Sequence, residues 1–136
     1  MATWATPAEM TLYDAMHVAD RRHGLDVVAS LRRAGVTERE VLVAGLLHDC
    51  AKGDTGAWPR VAWSLGEAFG PWVHGAARRI PGWGAALDRL RDHAEASAEL
   101  LRGAGASDRV VELVRHQAAP QDPEYGRLLQ LADEAN

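Results

Sequence analysis

Helix starts and stops recur along this chain with almost no strand-like alternation between them, and this punctuation limits the fold more than any single residue does. Thr6-Pro7-Ala8-Glu9 supplies an N-cap hydroxyl, a proline at the first helical position and a glutamate three places after the cap. A helix is expected from there to about Val18. Leu25, Val27, Val28 and Leu31 form an apolar stripe from about Asp20, and Gly35 stands where such a helix would end. Thr37 to Glu40 repeats the capping-box pattern, ahead of a third helix that runs into His48 and Asp49.

Between Gly53 and Gly84 the pattern is looser. Trp58, Trp63, Trp72 and Trp83 are spread among Pro59, Pro71 and Pro81, with helices expected near residues 59–69 and 72–80 and loops at the prolines. Tryptophans in a small helical domain usually fill core, and that is the expectation here. Asp92-His93-Ala94-Glu95 reads as a further capping box, opening a helix that ends near Gly103 to Gly105. Ser107 can cap the next helix, which carries Val110, Val111, Leu113 and Val114, and Asp122-Pro123 is expected to start the last. Six to eight short helices without repeats make an all-α domain.

Several classes of protein are excluded by the totals. A chain of 136 residues is long enough for one domain with its own core and too short to suggest two. The net charge of −4 gives no general positive field for a long nucleic acid, so any nucleotide it handles is expected to be small. Cys50 is the only cysteine, so neither an internal disulfide nor a thiolate zinc site is available. No apolar run reaches the length of a membrane span, and MATWATPAEM lacks the order of a secretion signal. The cytoplasm is the expected compartment.

The stretch LLHDCAKG is where chemistry enters. Val41, Leu42, Val43, Ala44, Leu46 and Leu47 read as core, yet they lead straight into His48 and Asp49, with Lys52 three places further on. Charge at the end of a core helix needs compensation. Of the six histidines, His17, His23, His48, His74, His93 and His116, four fall near expected helix ends, where side chains converge. Imidazole and carboxylate donors without sulfur suit a divalent cation such as Mn, Fe, Co, Ni, Zn or Mg.

His23 in DRRHGLDVV, the doublet His48-Asp49 and Asp133 in LLQLADEAN, in that order, closely resemble the HD-domain superfamily of metal-dependent phosphohydrolases over about residues 20–136. The resemblance implies a helical bundle in which His23, His48, Asp49 and Asp133 ligate one metal, with Asp49 placed to bridge to a second. His93 and His116 stand where relatives with two metals add ligands. Where many relatives carry a second histidine this chain has Gln117, and where they carry a glycine it has Ala51.

The activity so implied is hydrolysis of a phosphate ester or anhydride, most naturally in a nucleotide, through a metal-bound hydroxide. Asp49 and Lys52 are its catalytic candidates, and Lys52, His93 or His116 would steady the developing charge. Arg60, Arg78, Arg79, Arg89 and Arg91 are further basic groups that could meet phosphate, although most such arginines are simply solvated. Two other readings share the same fold: an oxygenase with a mixed-valent di-iron pair, and a non-catalytic nucleotide-binding or sensor module. His17 and His74 are read as surface or core residues.

Overall fold

The computed structural model describes residues 4–53 and 65–136, with the side chains of Arg89 and Leu90 left out. Every regular element in these residues is a helix. They are α1 (Pro7–Ala15), α2 (Val18–Arg33), α3 (Arg39–Leu47), α4 (Pro71–Ala77), α5 (Trp83–Gly103), α6 (Asp108–Arg115) and α7 (Gly126–Glu134), with residues 65–69 also helical. No helix among the described residues is long and apolar enough to cross a membrane. Residues 59–64 of the helix expected at 59–69, with Trp58, Arg60 and Trp63, lie outside the described residues.

Local chemistry explains several of the helix boundaries. Thr6 and Glu9 form the expected capping box, each side chain accepting from the other's backbone N–H. Ser107 caps α6 by accepting from the Val110 N–H. At the end of α2 the N–H of Gly35 reaches the Arg32 carbonyl and that of Val36 the Leu31 carbonyl, a wrap that needs positive φ at Gly35, here 88°.

Other boundaries differ from expectation, some through local caps and some through tertiary partners. The first helix stops at Ala15 rather than Val18, and His17 caps α2 by accepting from the Ala19 N–H. Thr37 does not cap α3: Glu38 holds that position without a side-chain hydrogen bond, while Glu40 is drawn to Ser107 and Arg109. Asp92-His93-Ala94-Glu95 opens no helix. It lies in the middle of the 21-residue α5, with Asp92 on Arg91 and Glu95 on Arg115. No glycine or proline interrupts residues 85–102, so the buried Ala86, Leu87, Ala98 and Leu101 stay in phase along one face. The last helix begins at Gly126, and Asp122 instead caps a turn by accepting from the Glu124 and Tyr125 N–H groups.

Helix α3 is the hub. It packs against α1, α2, α6 and α7, and all seven residues from Val41 to Leu47 are buried. A core built on it gathers Val27, Val28 and Leu31 of α2, Leu101 of α5, Val110, Val111, Leu113 and Val114 of α6 and Leu129 of α7. Each fully buried aliphatic side chain of this kind contributes roughly 1.5–3 kcal/mol. Ala77, Leu87 and Trp83 form a smaller cluster between α4 and α5. Trp72 corrects the expectation of buried tryptophans: it is 71% exposed, its indole N–H donating to the Phe69 carbonyl.

Two glycines set how close the central helices come. A Cβ on Gly24 would lie 2.4 Å from the Leu46 carbonyl oxygen, so α2 crosses the backbone of α3 directly. A Cβ on Gly45 would lie 2.8 Å from Leu31 Cδ1 and 3.2 Å from Val27 Cγ1. Gly24→Ala is expected to force the helices apart and cost about 1–3 kcal/mol, as overpacked cores do. Thermal unfolding of the variant checks this, and an unchanged midpoint would contradict the crossing.

Candidate metal centre

The close crossing places His23 of α2 beside the C-terminus of α3. The rings of His23 and His48 meet edge to face with centroids 5.1 Å apart. From the far end of the chain α7 brings Asp133, whose Oδ1 lies 2.8 Å from His23 Nε2 and 3.2 Å from His48 Nε2. Ligand atoms of His23, His48 and Asp133 all fall within 4.8 Å of one another, a group able to hold a metal ion.

Asp49 lies against this group, 2% exposed, with Oδ2 at 3.3 Å from His48 Nε2. Lys52 Nζ reaches the same oxygen at 2.5 Å. On the other side of the carboxylate, His93 Nε2 of α5 is 3.2 Å from Oδ1. Four of the sequence-derived candidates, with Lys52 and His93, therefore converge at one end of α3. His116 does not join the His23, His48 and Asp133 group; at the C-terminus of α6 its Nε2 sits 3.2 Å from Glu112.

The donor set fits a cation on the evidence of its own hydrogen bonding. His48 Nδ1 is 2.9 Å from the Gly45 carbonyl, and a carbonyl only accepts, so Nδ1 carries the proton. Nε2 is left facing two carboxylates. Both His48 Nε2 and Asp49 Oδ1 are buried without an aligned hydrogen bond, although ion-pair neighbours stand close. A histidine oriented through Nδ1 to a carbonyl, presenting Nε2 to a carboxylate-rich pocket, is the arrangement that metal-binding imidazoles use.

Electrostatics say the same. Burial works to lower the His48 pKa, but the Asp49 charge and the Asp133 carboxylate overcome it and push the imidazole up to about 10. Burial works to raise the pKa of Asp49, and the His48 charge, with His93 and Lys52, holds it well below the usual carboxylate range. Asp133 is likewise held below that range, against burial, by His23 and His48. The centre demands positive charge at Nε2, which a proton or a metal ion can supply in competition.

Compared with known protein families, residues 20–135 match the HD domain. The chain belongs to the HD-domain family. Membership places it in a superfamily of metal-dependent hydrolases whose members bind divalent metals, and the all-helical architecture agrees with that fold. Comparisons with curated proteins and with solved structures give no significant match.

Ser97 escaped the sequence reading of this HD domain, and Gln117 entered it only as the residue standing where many relatives carry a second histidine. The buried Ser97, one turn beyond His93 on α5, accepts the Ala51 N–H at 3.0 Å, and its carbonyl accepts the Cys50 thiol. Gln117 donates from Nε2 to the His48 carbonyl at 3.4 Å. A polar residue in the apolar stripe of α5, beside Ala98 and Leu101, was the available signal for Ser97. Gln117 was marked by the family resemblance, and nothing beside it in the sequence points to the His48 carbonyl. Arg78 and Arg91, candidates for phosphate, pair with Asp88 and Asp92 on the surface.

Cys50 reports on the same turn. Burial pushes its thiol up to about 11, and the Asp49 charge adds to that. At pH 8 the thiolate fraction is small. Alkylation by iodoacetamide is expected to be at least about tenfold slower in the native protein than in urea, and equal rates would contradict the buried turn.

Proposed function

We propose that this HD-domain protein hydrolyses a phosphate ester or anhydride, a nucleotide being the substrate class that fits best. In this reading His23, His48, Asp49 and Asp133 hold a divalent cation among Mn, Fe, Co, Ni, Zn and Mg. The observation that carries the proposal is the buried, donor-poor meeting of His48 Nε2 with two carboxylates and His23. When bound there, a divalent cation polarises a phosphoryl oxygen and makes water acidic enough to attack near neutral pH.

The chain's own groups do the rest. Asp49 Oδ1, buried and without an aligned hydrogen bond, accepts from the attacking water and orients it. Lys52 is 22% exposed, with Nζ at the rim beside Asp49, and donates to a non-bridging phosphoryl oxygen as charge develops. His93, also partly exposed and in contact with Asp49 Oδ1, steadies the leaving group. A net charge of −4 and the pairing of Arg78 and Arg91 with acids give no track for a long polyanion, which supports a small substrate.

Asp49→Ala is expected to abolish both manganese binding and turnover on a nucleotide panel, with the helical circular dichroism signal largely intact. Turnover persisting in that variant would refute the mechanism.

A second ion would draw on His93 and His116, and of these only His93 touches Asp49. His93→Ala is therefore expected to lower activity while leaving one metal per chain by elemental analysis. A fall from two metals to one in this variant would instead assign His93 to a second ion.

A further inference from the structure

The turn after α3 carries both His48 and Asp49, and its backbone is held from two directions by side chains outside the converging donor set. At the C-terminus of a helix the last carbonyls lose their intrahelical partners. Here the Leu47 carbonyl accepts from the Cys50 N–H, the Asp49 carbonyl from the Lys52 N–H, and the His48 carbonyl from the Gln117 amide. The Ala51 N–H, past the end of the helix, has Ser97 Oγ at 3.0 Å. Ser97 is fully buried and Gln117 is 8% exposed. A small apolar residue would suit the α5 face that holds Ala98 and Leu101.

The geometry points to Ser97 and Gln117 as positioning residues that clamp the His48-Asp49 turn and preorganise it for the cation. This rests on the metal-centre reading above. Helix α5 grips the doublet twice on one face, through His93 to the Asp49 carboxylate and, four residues on, through Ser97 to the backbone after it. Gln117 fastens the residue before, from beyond the end of α6. Between them the carbonyl of one candidate ligand and the peptide two places later are tied to separate parts of the chain, so the backbone that carries Asp49 cannot shift relative to α3 without breaking a buried hydrogen bond.

Manganese titration by calorimetry, with thermal unfolding of the metal-free protein measured beside it, tests the clamp on the full chain. Ser97→Ala and Gln117→Met are each expected to weaken manganese binding about tenfold, in the range seen when groups supporting a metal ligand are removed. Ser97→Thr, which keeps the hydroxyl, should restore most of the affinity. Val110→Ala serves as the control: it thins the core at the start of α6, away from the turn, and is expected to lower the unfolding temperature while leaving manganese affinity within about twofold.

Unchanged affinity in both Ser97→Ala and Gln117→Met, with wild-type protein binding manganese, would overturn the clamp and leave the proposed function standing. Equal losses in Val110→Ala would overturn it too, by showing that general loosening is enough. Wild-type protein that binds none of manganese, iron, cobalt, nickel, zinc and magnesium would sink both readings together.

Discussion

A backbone contact between two helices underlies everything else in this molecule. Gly24 lets α2 lie against the Leu46 carbonyl, and no residue with a side chain could stand there without moving one helix or the other. Because Gly24 follows His23 and Leu46 comes two residues before His48, the crossing that seals the core also sets two imidazoles edge to face. Packing and chemistry are thus specified by the same few atoms. Gly45, wedged against Val27 and Leu31, repeats the device one residue earlier on α3.

From that crossing the charge arrangement follows. Helix α3 is apolar from Val41 to Leu47 and runs into two ionisable residues that are almost fully buried. Isolated, such charges are expensive. They are tolerated because α7 returns Asp133 to the same place, α5 supplies His93, and Lys52 folds back on Asp49. What results is a pocket with more acceptors than donors, stable only around positive charge.

How much of this could be read in the sequence depended on the range of the interactions. Thr6 with Glu9, Ser107, and the glycine after α2 were legible because each signal and its partner lie within a few residues. The apolar run into His48 and Asp49 was legible because its burial contradicts its polarity. Thr37 and Asp92 misled for a shared reason: the glutamates that should have completed their boxes, Glu40 and Glu95, are claimed by Arg109 and Arg115 from α6. The contacts that Ser97 and Gln117 make with the turn were out of reach, since the backbone groups they satisfy become orphaned only once the turn has formed. Trp72 shows the limit of composition, being an aromatic residue placed on the surface.

The family match begins at residue 20, yet the fold reaches further back. Buried Glu9 binds the Arg39 guanidinium, Arg39 also donates to the Trp4 carbonyl, and Met16 enters the core beside α3. The packed unit therefore extends beyond the segment that matches the family. A fragment cut at residue 20 would lose the α1 face that packs against α3 and leave Arg39 without Glu9 and the Trp4 carbonyl, so the helix that bears the doublet draws part of its cover from outside the matched segment.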